Sequence, residues 1–398
     1  MRDVLVVNQF ALPRTEAGGT RHIDLFSRVE GWRPLIVAGD RNHYTQDRYA
    51  TADDRFRLLR VPKQRGGGAS RLVGWLAFGA QAFAACVTRP RVDLVLGSSP
   101  QPIAALSALA AARVRRRPFV LEVRDLWPES IVAAGKLVEG SLVHRVFCLI
   151  ERVLATQATR VVCVTDGWED HFLRLGVPTD RMVVVPNGTE PSDFKVAESR
   201  QNLRDRLSLK GFTAVFAGAH GPKDGVDLVV DAAARLPTVH FLLVGSGPAK
   251  AGLVDRVRRE HLSNVEFREP VPKVELAELL RACDVGIHAV APLTVFDKGM
   301  SPNKLFDYLA AGLPVVSNAE GALRRIVIDG ECGRLGGTSE LAFCIEAVRD
   351  ASAEQRAAWS ARAEEVLRHR YGRRAAAATL AEVMNAVVAA HVSGTSNA

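Results

Sequence analysis

The chain has 398 residues, 47% of them apolar and 24% charged, ordinary for a folded protein but too long for one typical core. A formal net charge of +8 favours anionic partners such as phosphates or acidic lipids. Aromatic residues are few and none interleaves with the basic runs, so the composition speaks against nucleic acid as a partner.

From the N-terminus the chain runs into a strand over 4–7 without the pattern of a leader peptide. A helical pattern at 21–29 and a strand at 34–37 follow. Residues 72–87 are the most apolar stretch, shorter than the roughly 20 residues of a bilayer span. They suit either a core helix or one that dips into a membrane interface. Strands at 93–97, 119–123, 160–164 and 182–185 alternate with helical patterns at 103–112, 142–155 and 168–173. The arginines at 113 and 115–117 suit an anionic membrane surface or a solvated helix end. After the turn Pro186-Asn187-Gly188 the pattern restarts. Strands at 213–216, 239–244, 265–267, 285–288 and 314–317 enclose helices at 226–236, 249–259, 276–282 and 302–311, and helix formers fill 353–391.

This alternation predicts parallel sheets with crossover helices, an α/β fold of two doubly wound domains whose strand C-termini meet a cleft. The boundaries read as 1–188, 189–370 and a closing helix at 371–398 that frays from Ser393. Six cysteines without a C-x-x-C pair or a Cys/His cluster give no expectation of a metal, and thiols in apolar runs suit a reducing cytoplasm.

Candidate sites lie where strands end. Gly18-Gly19-Thr20, just before a helix, lets backbone approach a ligand closely. In 122–130, Glu122, Arg124, Asp125 and Glu129 crowd beside Trp127. Burying such charges is costly unless they pair or hold a polar ligand. In 217–225, Gly218, His220 and Lys223 form a glycine-rich loop that could set a cation near phosphates. His220 and His288 have no partner spaced for metal, so hydrogen bonding is their expected role. The most informative stretch is 301–316. Ser301-Pro302-Asn303 opens a helix whose N-terminus suits anionic oxygens, Lys304 adds a mobile positive charge, and Asp307 can accept from hydroxyls. Phosphate and then sugar hydroxyls is the order of groups in a nucleotide-sugar.

In this order and spacing the motifs resemble a GT-B glycosyltransferase of the retaining family 4. They are Gly18-Gly19, Val185-Pro-Asn-Gly188, Phe216-Ala-Gly218, Lys223-Asp-Gly225, the run from Phe241 to Pro248, Cys283-Asp-Val-Gly286, and Lys304 through Val316. Arg124-Asp-Leu-Trp-Pro-Glu-Ser130 is similar to a subgroup of bacterial surface-polysaccharide transferases for fucosamine or N-acetylhexosamine. The resemblance implies two Rossmann-like domains facing across a cleft, with the donor held by the second. Asp307 matches the second glutamate of the family's E-x7-E element, which grips ribose hydroxyls. Its first glutamate is replaced by Gly299, and Ala219 stands where the family usually has an arginine. Lys223 and Lys304 would stabilise the leaving diphosphate, with Ser301, Pro302, Asn303, Gly218 and His220 beside the donor. Val271 would lie against the nucleobase and Gly19 near the transferred sugar. Asp125, Arg124 and Glu129 would line the acceptor side.

The implied reaction is metal-independent front-face displacement, moving a hexosyl or N-acetylhexosaminyl group to a hydroxyl. UDP-N-acetylglucosamine or a relative is the expected donor. The acceptor is a polyprenyl-linked saccharide or a soluble small molecule, met in the cytoplasm or at the inner membrane face. A nucleotide-sugar epimerase of the same fold and a silent nucleotide-sugar-binding partner are the alternatives. The lack of G-x-G-x-x-G speaks against a dehydrogenase.

Overall fold

The computed structural model describes residues 1–43, 45–63 and 68–396. The chain divides into two compact units, Met1–Pro186 with Arg373–Ala398, and Asn187–Gly372.

The first unit carries strands β1 (Arg2–Val7), β2 (Trp32–Gly39), β3 (Phe56–Leu59), β4 (Leu94–Ser98), β5 (Phe119–Val123), β6 (Arg160–Cys163) and β7 (Met182–Val184). They form one sheet in the order β3-β2-β1-β4-β5-β6-β7, and every pairing is parallel. Its helices are α1 (Arg21–Phe26), α2 (Gly68–Val87), α3 (Pro102–Val114), α4 (Glu129–Ala133), α5 (Leu142–Gln157) and α6 (Glu169–Arg174). Side chains alternate across a strand, so β1 feeds two cores. Leu5 and Val7 pack with residues of α2, α3 and α5, while Val4 and Val6 pack with Ile23, Leu25 and Phe26 of α1.

The second unit repeats the scheme with β8 (Thr213–Ala217), β9 (His240–Val244), β10 (Val265–Arg268), β11 (Val285–His288), β12 (Val315–Ser317) and β13 (Gly333–Leu335). These form a second parallel sheet, ordered β10-β9-β8-β11-β12-β13. Helices α7 (Arg200–Arg206), α8 (Val226–Arg235), α9 (Lys250–Arg259), α10 (Lys273–Ala282), α11 (Asn303–Ala310), α12 (Glu320–Val327), α13 (Leu341–Arg349) and α14 (Ala353–Val366) accompany it. One face of the sheet packs on α10 and α11, the other on α8 and α13.

Two features depart from the sequence reading. The edge strands β3 and β13 lie in stretches too short and mixed to show a strand pattern. The helix formers after residue 353 build two long helices, α14 and then α15 (Arg373–Ser396). Ala377, Leu380 and Met384 of α15 join Val4, Val6 and Ile36 in one core. The final helix is therefore a layer of the first unit, and it stays helical through Ser396, past the expected fraying point.

Ser70–Val87 and Ala353–Ser393 are long and apolar enough to cross a bilayer by length and composition alone. In both, apolar side chains build the cores: Phe78, Ala82 and Cys86 in one, Ala363, Leu380 and Met384 in the other.

Candidate functional site

In the second unit, β8 delivers the chain to Gly218, and α11 brings Lys304 across it. The Lys304 side chain is 14% exposed, with Nζ 4.0 Å from the centre of the Phe216 ring and 3.6 Å from Asp224 Oδ1. Burial draws its pKa below the ordinary lysine value, while Asp224 pulls it back up. This cation is fixed by an aromatic face and a carboxylate, where the sequence suggested a mobile one. A Cβ at Gly218 would stand 2.7 Å from Lys304 Cε, so the lysine lies across this position because it is glycine. Gly225 has φ +60°, and a Cβ there would meet the Val290 carbonyl carbon at 2.7 Å. That close turn carries Lys223, which is exposed and whose carbonyl accepts from the Ala291 N–H at 3.0 Å.

The His220 ring is buried between Phe216 and Phe267, each ring centre 6.0 Å away. Neither of its nitrogens has a hydrogen-bond partner among the described residues. Burial, then Lys250 and Lys304, pulls its pKa to about 4, so the ring is neutral at pH 7. His288, at the end of β11, is held near 3 chiefly by burial, with Nδ1 2.9 Å from Ser317 Oγ.

The entry to α11 is tied to Asn187. The Asn187 N–H donates to Ser301 Oγ at 3.0 Å and its side-chain amide donates to the Ser301 carbonyl at 2.5 Å. Pro302 stands at the N-cap position without a side-chain cap, and the buried Oδ1 of Asn303 lacks a partner among the described residues. Asp307 Oδ1 accepts from Thr189 Oγ1 at 2.6 Å and lies 3.4 Å from Lys273 Nζ. Lys304 and Asp307, three residues apart, thus engage different partners. Val271 is half-buried beside Lys273 in the sequence.

In the first unit, the crowded charges at the end of β5 resolve into a buried network. Glu122 Oε1 accepts from Arg21 Nε at 2.9 Å, and Oε2 lies 2.8 Å from His22 Nε2 and accepts from Ser98 Oγ at 2.6 Å. Burial pushes the Glu122 carboxyl up, but Arg21 and His22 hold it well below its usual value. Arg21 also donates to the Val185 and Pro186 carbonyls, both at 2.8 Å. Glu122 thus pairs with residues a hundred positions upstream rather than with Arg124. No local pattern signals Arg21 or His22, whereas Asp224 stood unremarked inside the Lys223-Asp-Gly225 motif.

Arg124 and Asp125 remain half-buried just beyond the strand. The buried Arg124 Nε has no partner among the described residues, and its backbone N–H donates to Ser99 Oγ at 2.9 Å. Glu129 lies 3.3 Å from His171 Nδ1, whose other nitrogen is 2.9 Å from Glu151. Gly19 is half-buried, and the neighbouring Thr20 Oγ1 donates to Asp24 at 2.5 Å.

Residues 28–188 match the family model of the glycosyl transferase 4-like domain, and residues 211–351 that of the glycosyl transferases group 1. The chain belongs to this glycosyltransferase family. It is 26% identical over 201 residues to the putative teichuronic acid biosynthesis glycosyltransferase TuaH of Bacillus subtilis, covering 50% of this chain and 49% of that one. It is 30% identical over 246 residues to D-inositol 3-phosphate glycosyltransferase of Frankia alni, covering 57% and 58% respectively. The glycosyltransferase spans about half the length of such curated relatives. Among solved structures, Anabaena HepE in complex with UDP-glucose superposes with TM-score 0.73 at 18% identity, covering 97% of this chain and all of that one. Sucrose-phosphate synthase of Thermosynechococcus elongatus gives 0.76 at 17%, covering 98% and 100%. The fold is GT-B, with two Rossmann-like α/β domains.

Proposed function

We propose that this glycosyltransferase moves a hexosyl or N-acetylhexosaminyl group from a UDP-sugar to a hydroxyl acceptor, with retention of configuration. The observation that carries this reading is Lys304, a half-buried cation held beside Asp224 at the exits of β8 and β11. A pre-positioned charge of this kind stabilises a leaving diphosphate without reorganisation in the transition state. The anomeric carbon–diphosphate bond breaks, a bond to the acceptor oxygen forms on the same face, and the acceptor proton passes to the leaving diphosphate. That route calls on no metal ion for the charge developing on the diphosphate.

In this reading Lys223 joins Lys304 at the diphosphate. Gly218, His220, Ser301, Pro302 and Asn303 border the donor, and Val271 meets the base. Thr189 and Lys273 hold the Asp307 carboxylate for donor hydroxyls. Asp125 and Arg124 serve the acceptor, Gly19 approaches the sugar, and Glu129 acts through its contact with His171. The UDP-glucose bound by HepE supports a uridine donor, and TuaH supports a role in cell-surface glycan synthesis. UDP-N-acetylglucosamine is the preferred donor in this proposal, with the reaction at the cytoplasmic side of the membrane.

Titration calorimetry with UDP tests the carrying observation. Lys304→Ala should weaken binding by roughly tenfold to a hundredfold, the size of a lost charge-assisted contact. Unchanged affinity would remove Lys304 from the donor site.

A further inference from the structure

Helix α5 turns an aliphatic row to solvent. Leu142 is 78% exposed and Leu149 61%, with Val143 and Val146 between them also exposed. Spacings of one, four and seven place the four on a stripe about 120° wide, a face a folded chain normally buries. Arg145 and Arg152, one heptad apart and both exposed, flank this stripe along one side. The inward face of the helix is occupied by Leu154 and Ala155 in the core and by Glu151 at His171.

The N-terminal half of α2 repeats the composition. Leu72, Val73 and Leu76 are exposed behind Arg71, which is exposed as well. Trp75, Trp127 and Phe147 tie the two helices together, with ring centres 5.3, 6.0 and 6.3 Å apart and all pairs edge-on. Trp127 belongs to the loop that carries Arg124 and Asp125. Isolated exposed aliphatics need no explanation, but seven on two helices joined by one aromatic triangle do.

We propose that this face of α2 and α5 docks on an anionic bilayer, its aliphatic side chains entering the headgroup boundary and Arg71, Arg145 and Arg152 meeting acidic lipids. Aliphatics edged by arginine are complementary to such an interface, and the chain's formal charge of +8 adds long-range attraction. A second copy is the poorer occupant, because facing copies would bring those arginines against one another. Docking here sets the loop of Arg124 and Asp125 beside lipid headgroups, which selects a lipid-linked acceptor. That last step rests on the transferase reading above, whereas the docking itself does not.

Co-sedimentation with vesicles of phosphatidylglycerol and phosphatidylcholine in equal parts, and with pure phosphatidylcholine, tests the surface. The full chain should bind the anionic vesicles, and the pair Val143→Asp with Leu149→Asp should lower that partition by about tenfold or more. Both positions are solvent-exposed, so UDP affinity and the thermal midpoint should stay at the parent values. Three outcomes would overturn the proposal. They are no binding to anionic vesicles, equal binding by the substituted chain, or a dimer in light scattering that the same pair dissolves. Loss of UDP binding by the parent chain would count against the transferase reading and leave the docking result standing.

Discussion

A methyl group at position 218 would stand 2.7 Å from Lys304 Cε and 2.9 Å from its Nζ. Only the end of a flexible side chain has to yield, so Gly218→Ala should leave stability within about 1 kcal/mol of the parent. The lysine would leave its place over Phe216 and beside Asp224. Calorimetry with UDP should therefore show a loss of affinity approaching that of Lys304→Ala. Parent-like affinity in Gly218→Ala would mean that the position of Lys304 does not matter to the donor. The lysine itself was legible in the sequence, as a cation one turn into a helix, but its fixity was not. That fixity comes from Phe216 and Asp224, some 80 to 90 residues away, and no local periodicity reports such a contact.

At the level of elements, α4 is one short helix held by a histidine. Burial draws His171 down, but its hydrogen bonds to Glu129 and Glu151 outweigh this and raise its pKa from 6.5 to about 9. The folded state therefore favours the protonated ring. The stability this provides is complete below pH 6.5 and is lost as the pH rises through about 9. Urea unfolding of the parent should show a falling midpoint between pH 7 and pH 10, and His171→Ala should flatten that fall. Identical slopes in the two chains would show that the clasp contributes nothing. The central strands and most crossover helices were readable because parallel strands buried on both faces are continuous apolar runs. The edge strands β3 and β13 were not, since Phe56–Leu59 is only four residues long and interrupted by Arg57, and Gly333–Leu335 is three residues long. Glu122 was flagged as a buried charge needing a partner, but pattern alone could not choose between Arg124 beside it and Arg21 across the sheet.

Across the whole molecule, the chain leaves the first unit after Pro186 and returns to it at Arg373, so its last helix completes its first core. Sequence showed helix formers there but not which unit they cover, because an apolar face does not name its partner. Leu380 is 1% exposed and packs with Val4 and Val6. Leu380→Ala should destabilise the first unit by about 2–5 kcal/mol. Hydrogen exchange should show faster opening in β1 and β2 while β8 and β11 keep their protection; faster exchange confined to the second unit would contradict this assignment. Both α/β domains have polar groups gathered at strand exits, and the second is the proposed seat of the nucleotide-sugar. The most direct test is incubation of the purified chain with a panel of UDP-, GDP- and dTDP-sugars, followed by mass spectrometry and thermal unfolding. A UDP-sugar should raise the unfolding temperature and be slowly cleaved to UDP and free sugar, and Lys304→Ala should lose both effects. A panel in which no nucleotide-sugar stabilises the chain or is cleaved would contradict it.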